Sequence, residues 1–347
     1  MRRSQIHITA GMFAAVLTIA ACAPAATPGQ PSATAVATRP SATAVPTRPA
    51  AVTMRWGARL TEANMVYLKG NYAQKYGLTV QPILFSTGID SRDALIGGQI
   101  DVAELGITPA VTALARTTDL LVIATSDWGG GKYRLMVKTG STAKTFEDLK
   151  GKKIAVQVGS GAYSAFLGVA KGKGLTAKDF QLLNIGDVDA IAALEQGSVD
   201  AVQYWEPIVS IIETKGIGRE LMSYEGLVNN PVLILARRQW VEQNRAAALA
   251  FAAGWSDALE FMTKQPNEAA KIIVDALAEK GQKMDVAVQA RALTHDHYEP
   301  DLKPTFIADL KQSWADGVAQ GSFKGTEPDW SAVYRPEIVQ EAQKLRK

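Results

Sequence analysis

The chain has 347 residues, of which 47% are hydrophobic and 20% charged, so most of it should fold into a globular body rather than stay disordered. The formal net charge of +3 comes from the first 52 residues, which contain four arginines and no acidic residue, and the remainder holds 33 basic and 34 acidic residues. This near-neutral body excludes binding to nucleic acid through a basic face, and a single cysteine excludes internal disulfides and cysteine-ligated clusters.

The chain opens with a pattern that predicts export. Arg2 and Arg3 precede an apolar stretch, Ile6–Ala21, which is too short to span a bilayer and is typical of a signal peptide over residues 1–21. The stretch ends in Ile-Ala-Ala-Cys22, which resembles the lipobox of bacterial lipoproteins. The alternative is an incidental cysteine in an ordinary signal peptide. We predict a lipoprotein that is anchored through Cys22 to the extracytoplasmic face of the cell membrane.

Residues 22–52 are predicted to form a tether after the lipidated cysteine. They consist almost entirely of Ala, Pro, Thr, Ser and Val, and they contain a nine-residue duplication, Ser32–Pro40 and Ser41–Pro49. Such a segment cannot bury a hydrophobic core. As a proline-rich chain it should be extended, and at about 3.1 Å per residue it would reach about 90 Å.

From Thr53 onward, apolar strands alternate with helices. The predicted strands are Met54–Ala58, Thr79–Phe85, Ile100–Leu105, Leu120–Ser126, Arg134–Lys138 and Lys153–Val158. The predicted helices are Ala63–Tyr76, Ser91–Gly97 and Pro109–Arg116, the last with Thr108 as its cap, and helices dominate after Arg245. This alternation predicts an α/β protein with parallel sheets.

An internal repeat divides the body in two. Ala94–Asp101 and Ala193–Asp200 both read Ala-Leu-x-x-Gly-x-(Ile/Val)-Asp, 99 residues apart, which is typical of a helix that ends at a glycine and leads into a buried strand. Either two common turns resemble each other by chance, or the body has two similar lobes. Two lobes would place the strand ends Glu104–Gly106 and Tyr204–Glu206 around one cleft, because ligands of open α/β sheets bind beyond the carboxyl ends of strands.

Three segments resemble the substrate-binding proteins of sulfonate, taurine and nitrate ABC importers, to which thiamine-pyrimidine-binding proteins are related. Phe146–Ser160 (FEDLKGKKIAVQVGS) resembles the start of their second lobe. Ala193–Pro207 (ALEQGSVDAVQYWEP) is similar to a later segment of the same family. Ala94–Asp101, together with Gly106–Pro109, resembles the counterpart of that segment in the first lobe.

The resemblance implies a type II periplasmic-binding-protein fold: an α/β protein of two lobes with a ligand cleft and a helical C-terminal region. It assigns residues 53–138 and 233–347 to the first lobe and 139–232 to the second, with crossings near Val137–Thr142 and Val228–Leu233. It implies a monomer without a cofactor or metal and without enzymatic activity. Its implied partners are a small-molecule solute, the permease and ATPase subunits of an ABC importer, and the membrane through the lipid anchor.

The resemblance also implies a ligand class and a mechanism. A small anion such as an alkanesulfonate, taurine or nitrate would be captured as the lobes close on a hinge and would then be delivered to the permease. The alternative ligand is a neutral pyrimidine or another heteroaromatic compound. A remote alternative is an enzyme in which Glu104 and Glu206 do acid–base work across the cleft.

Backbone N–H groups are the first candidate ligand contacts. Ser160, Gly161 and Ala162 follow a strand and open a helix, and helix N-termini bind oxyanions; the alternative for Ser160 is a plain helix cap. In the other lobe, Gly106 and Thr108 precede the helix that begins at a proline. We expect both helix starts to face the cleft.

Side chains supply the other candidate contacts. Asn64 lies near the helix after the first strand and would offer an amide, and Tyr133 lies beside the expected crossing, as part of either the site or the hinge. Tyr204 and Trp205 are expected to form aromatic walls, with ordinary packing as the alternative. Glu206 would contact the ligand or make a hydrogen bond between the lobes.

Two further motifs are not predicted to bind a phosphate or a metal. The run Gly129–Lys132 lacks the first glycine and the Ser/Thr of a phosphate-binding loop, so we interpret it as a flexible loop. His295 and His297 flank Asp296 in a helical pattern just before two prolines. We predict a surface helix end there rather than a metal site.

Overall fold

The structure is a computed structural model that describes residues 52–319, 321, 323 and 326–346, apart from the side chains of Asp187 and Val188. The predicted signal peptide, Cys22 and nearly all of the predicted tether lie outside the described residues.

Strands and helices alternate through the first two thirds of the described chain, and helices predominate afterwards. The strands are β1 Thr53–Ala58, β2 Thr79–Leu84, β3 Val102–Leu105, β4 Leu120–Trp128, β5 Tyr133–Lys138, β6 Lys153–Val156, β7 Gln181–Asn184, β8 Ala201–Trp205, β9 Gly218–Ser223, β10 Val232–Arg237 and β11 His297–Tyr298. The helices are α1 Glu62–Lys69, α2 Tyr72–Lys75, α3 Gly88–Ile96, α4 Ile107–Arg116, α5 Gly161–Gly172, α6 Asp187–Gln196, α7 Ile208–Thr214, α8 Arg238–Gln243, α9 Arg245–Lys264, α10 Pro266–Ala278, α11 Val286–Ala292, α12 Phe306–Ala319, α13 Trp330–Val333 and α14 Glu337–Ala342. Short 3₁₀ turns cover Glu147–Leu149, Ala177–Asp179, Leu293–His295 and Gln343–Leu345.

The strands form two mixed sheets rather than the parallel sheets that we predicted. The first sheet has the order β11-β4-β10-β3-β1-β2, and the second has the order β7-β6-β8-β5-β9. β1, β2 and β3 are parallel, as are β6, β7 and β8. β10 and β5 run antiparallel to these strands because each follows a crossing from the other sheet. We call the parts of the chain around the first and second sheets the first and second lobes.

The chain crosses between the sheets twice, over residues 129–132 and 224–231. The predicted first crossing at Val137–Thr142 is therefore wrong, because Tyr133–Lys138 already pairs with β8 and β9 in the second sheet. The two crossings lie side by side: the Gly129 N–H donates to the Asn229 carbonyl at 2.5 Å. The glycine run is buried rather than a loose loop. It packs closely against the second crossing, since a Cβ atom on Gly130 would lie 1.9 Å from the Tyr224 carbonyl oxygen.

The repeated sequence motif has the same structural role in both lobes. The Asp101 carboxylate accepts the backbone N–H of Arg55 on β1 at 2.9 Å, and the Asp200 carboxylate accepts that of Lys153 on β6 at 2.9 Å. Each aspartate thus ties β1 or β6 to the turn after a glycine-terminated helix. The two lobes therefore share this hydrogen bond from the aspartate as well as the order of their strands.

The helix boundaries differ from the sequence predictions at two points. α4 begins at Ile107 with Gly106 as its N-cap, so Thr108 lies inside the helix rather than capping it. The predicted helix Ala63–Tyr76 is interrupted between α1 and α2, where Asn71 adopts a φ of 52°. A left-handed residue ends one helix and lets the next begin in a new direction.

The core of the first lobe is rich in aromatic and alanine side chains. Trp56 packs against Tyr67, Phe251 and Trp255, with ring centroids 5.2 to 6.2 Å apart. The last two residues belong to α9, the 20-residue helix that fills this core. Among the described residues, no helix has the length and apolar character needed to cross a bilayer.

Candidate ligand-binding cleft

A cavity of about 90 Å³ lies between the lobes, at the carboxyl ends of β1, β3, β6 and β8. A volume on this scale holds several water molecules or one small solute. Its lining comes from both sheets and from β11, and includes Arg59, Glu62, Glu104, Gly106, Asp127, Lys132, Tyr133, Ser160, Gly161, Ala162, Trp205, Glu206, Asp296 and Tyr298. The cavity therefore occupies the place where α/β sheets bind ligands.

The second lobe presents the start of a long helix to the cavity. Ser160, Gly161 and Ala162 all line it, at the N-terminus of the 12-residue helix α5. Ser160 is also the helix cap, since its hydroxyl accepts the Tyr163 N–H at 3.1 Å. The site and cap interpretations of Ser160 are therefore compatible in this geometry.

The aromatic wall contains one residue of the pair that we expected, Trp205, but not the other, Tyr204. Trp205 lines the cavity together with Tyr133 and Tyr298. Tyr204 does not line it, although its ring contacts that of Trp205 at a centroid distance of 5.4 Å. Its ring is fully buried in the core of the second lobe, and its hydroxyl donates to the Ile185 carbonyl.

Asn64 also lies outside the cavity lining. Its side chain is fully buried and accepts the Trp56 indole N–H at 2.7 Å. Its amide donates to Thr61 and to Glu104, each at 2.6 Å. Asn64 therefore positions the Glu104 carboxylate that lines the cavity, but it does not line the cavity itself as we predicted.

Thr108 contacts the other lobe instead of the cavity. Its hydroxyl lies 2.7 Å from that of Ser164 on α5, and this pair spans the gap between the lobes. Asn230, on the second crossing, donates to the Gly161 carbonyl at 2.7 Å. The Thr108–Ser164 hydrogen bond is available to stabilise a closed arrangement of the lobes, and the Asn230–Gly161 hydrogen bond ties the second crossing to the start of α5.

Lys132 is the buried cation of the cavity floor. Its ammonium forms ion pairs with Asp127 and, at 3.4 Å, with Asp296. Burial lowers the pKa of Lys132, and the carboxylates of Asp296, Glu104 and Glu62 oppose this shift. Burial raises the pKa of Asp296 to about 6, with the Lys132 ammonium acting against it.

Glu206 lines the cavity from the end of the second lobe's central strand. Its carboxylate accepts the buried guanidinium of Arg134 at 2.7 Å. Arg134 also binds Glu213 at 2.9 Å, and Glu213 binds Arg291 on α11 at 2.5 Å. A chain of alternating charges therefore connects the cavity wall to the protein surface.

None of the described residues that line the cavity is a histidine. His295 ends a 3₁₀ turn, and His297 belongs to β11, where its ring stacks on Trp128 at a centroid distance of 4.2 Å. The described part of the chain contains no group of three or more His, Cys, Asp or Glu side chains placed to hold a metal ion.

Sequence reasoning missed several charged residues of the cavity. Arg59 directly follows β1, so the rule about strand ends that we applied to β3 and β8 would have found it. Lys132 was missed because it ends the run Gly129–Lys132, which we interpreted as a flexible loop. Asp296 lies far away in sequence and reaches the cavity because β11 pairs with β4, which places Tyr298 beside Asp127.

The comparison with protein families matches residues 47–278 to the NMT1-like family. The chain belongs to this family. This NMT1-like protein is 30% identical over 235 residues to a putative aliphatic sulfonates-binding protein of Escherichia coli, covering 67% of this chain and 72% of the relative. It is 26% identical over 218 residues to the taurine-binding periplasmic protein of the same organism, covering 62% and 68%.

Solved structures support the same fold. The alkanesulfonate-binding protein SsuA from Xanthomonas axonopodis, bound to MOPS, superposes with a TM-score of 0.73 at 24% identity, covering 82% of this chain and 98% of that protein. The family resemblance and the periplasmic-binding-protein fold are therefore confirmed. Both relatives are named as binding proteins, and the taurine-binding one as periplasmic.

Proposed function

We propose that this NMT1-like protein captures a small organic sulfonate in the cleft and presents it to the permease of an ABC importer. The main observation in favour of this ligand class is the position of the N-terminus of α5, which faces the buried cavity. Arg59 lines the same cavity from the opposite lobe. Backbone N–H groups and a guanidinium on opposite walls suit an oxyanion that bridges the lobes. The sulfonate- and taurine-binding relatives support this choice.

The proposal is tested by titrating the purified protein with alkanesulfonates, taurine and nitrate while recording tryptophan fluorescence and melting temperature. A ligand that binds only the folded form raises the melting temperature. We expect micromolar binding of at least one sulfonate. The absence of any binding or melting shift across the sulfonates would contradict the proposal.

A heteroaromatic ligand such as a pyrimidine is the second candidate. It is favoured by the three aromatic side chains of the lining, Tyr133, Trp205 and Tyr298. Flat rings stack on such side chains. The thiamine pyrimidine therefore belongs in the same titration, and its binding without that of any sulfonate would select this candidate.

Trp205→Ala is expected to weaken binding of the identified ligand by tenfold or more while the protein remains folded. Trp205 is half-buried at the cavity wall, and truncating such an aromatic contact removes about 1–3 kcal/mol of apolar contact. Calorimetric titration measures the loss. Tyr72→Ala, which truncates a half-buried aromatic residue remote from the cleft, is the matched control. Unchanged affinity in Trp205→Ala would show that the cleft is misplaced.

We also propose that the protein is held at the membrane through a lipidated Cys22. A receptor that is confined near its permease meets it more often. We expect Cys22→Ala to move the exported protein from the membrane fraction to the soluble fraction and to abolish labelling by a fatty-acid probe. Ser32→Ala, in the predicted tether, is the control and should stay in the membrane fraction. Membrane retention of Cys22→Ala would refute the anchor.

A further inference from the structure

The cavity lining contains more carboxyl groups than cationic side chains. Two cationic side chains line it, Arg59 and Lys132, and Arg134 reaches one lining carboxylate from behind. The carboxylates of the lining are those of Glu62, Glu104, Asp127, Glu206 and Asp296. A ligand with only negative charge would find few cationic partners in this lining that are not already paired with a carboxylate.

Four of the five carboxylates have partners among the described residues. Glu104 accepts hydrogen bonds from Thr61 at 2.7 Å, Asn64 at 2.6 Å and Ser126 at 2.7 Å, and the Arg59 guanidinium lies 3.6 Å away. Asp127 and Asp296 share the Lys132 ammonium, and Glu206 binds Arg134. These groups are thus committed to the protein itself.

Glu62 is the exception. It is the first residue of α1 and lines the cavity, and only 8% of its surface is exposed. Its Oε1 atom is buried and has no hydrogen-bond partner in the described part of the chain. Burial raises the pKa of Glu62 to about 8, and repulsion from Glu206, Asp296 and Glu104 adds to the shift. Buried polar atoms are normally hydrogen-bonded, so a donor on a ligand in the cavity would satisfy the Oε1 atom of Glu62.

We propose that Glu62 selects ligands that carry a protonated nitrogen, so that the substrate class is an amino-sulfonate zwitterion rather than a plain sulfonate. This inference rests on the proposed function. The ammonium supplies the donor that Oε1 lacks and offsets the surplus of carboxylates. The sulfonate lies toward the start of α5, where the backbone N–H groups are.

The zwitterion fits the charge pattern of the cavity better than either half alone. A plain alkanesulfonate would find the α5 N-terminus but would leave Glu62 without a donor. A simple amine would satisfy Glu62 and leave the helix N-terminus and Arg59 without an anion. Only a ligand with both groups meets polar partners of opposite sign on the two walls.

The test compares two ligands that differ only at one end. Taurine and 2-hydroxyethanesulfonate have the same sulfonate and the same two-carbon chain, with an ammonium in one and a hydroxyl in the other. Both are titrated into the full-length protein and into its Glu62→Gln variant by calorimetry at one pH and salt concentration. Glu268→Gln, at an exposed position in the first turn of α10, is the matched control.

We expect wild type to bind taurine at least tenfold more tightly than 2-hydroxyethanesulfonate, since a hydrogen bond to a charged group contributes on this scale. In Glu62→Gln the ratio should fall to within about threefold, while Glu268→Gln keeps the wild-type ratio. The melting temperature of each unliganded variant checks that it is folded.

The outcomes separate this inference from the proposed function. Equal binding of the two ligands by wild type, tighter binding of the hydroxyl compound, or an unchanged ratio in Glu62→Gln overturns the role of Glu62 and leaves the sulfonate receptor standing. Failure of both ligands to bind overturns the inference, and the proposed function is contradicted only if the other sulfonates of the titration also fail to bind.

Discussion

Replacing Arg134 with methionine is expected to destabilise the unliganded protein by about 3–5 kcal/mol, because it leaves a buried carboxylate without its counter-charge. Arg134 is 2% exposed and Glu206 is 5% exposed, so water cannot replace the lost partner. The Arg134 guanidinium also donates to Ser210 at 2.8 Å, and this buried hydroxyl would lose its donor too. Urea unfolding of wild type and variant at pH 7 measures the difference in free energy.

Two further variants identify the cause of that loss. Arg134→Met combined with Glu206→Gln should recover most of the stability, since the second change removes the uncompensated charge. Arg116→Met is the matched control: its ion pair with Asp93 lies at 3.3 Å with both side chains 53% exposed, so its loss should cost less than 1 kcal/mol. A loss in Arg134→Met that the double variant does not reduce would mean that packing, not charge, holds this arginine in place.

The parts of the fold that follow from local signals were predictable from the sequence. The motif shared by Ala94–Asp101 and Ala193–Asp200 predicted two similar lobes, and the structure gives its aspartates equivalent hydrogen bonds to β1 and β6. The carboxyl ends of β3 and β8 correctly indicated the position of the cavity. In each case the deciding interaction is between residues near in sequence or in adjacent strands.

The composition of the cavity was less predictable because it depends on the directions of side chains and on distant segments. Tyr204 and Trp205 were both assigned to the wall, but the Tyr204 ring is fully buried beside that of Trp205, and only Trp205 reaches the cavity. Asp296 meets Lys132 only because β11 joins the edge of the first sheet. No local pattern around His295 or His297 indicates that pairing.

The strand directions were missed for a similar reason. Alternating strands and helices predict parallel neighbours, because each helix returns the chain to the start of the same sheet. β5 and β10 instead follow the crossings 129–132 and 224–231, which contain no helix, and both strands are antiparallel to their central neighbours. Their position in the sheets is set by the exchange between lobes, which the helix–strand pattern does not encode.

Glu62→Gln should make the unliganded protein more stable at pH 9 and leave it almost unchanged at pH 5. The pKa of Glu62 is raised from an ordinary value near 4.5 to about 8 by burial. The folded protein therefore holds a proton that the unfolded chain releases, and stability falls as the pH rises from about 4.5 through 8. At 1.36 kcal/mol for each pKa unit, the loss above pH 8 is on the order of 3–5 kcal/mol, and a neutral glutamine avoids it.

Urea unfolding of wild type and variant at pH 5 and pH 9 provides the measurement. Asp296 and Lys132 also titrate with shifted pKa values and interact with Glu62, so the difference between the two proteins reports Glu62 together with its effect on these two groups. Glu268→Gln should show no such dependence on pH. An equal stability gain at both pH values would contradict a buried Glu62 proton. A gain confined to high pH would mean that the empty cleft holds its acid neutral, and that a cationic ligand group must displace this proton when it binds.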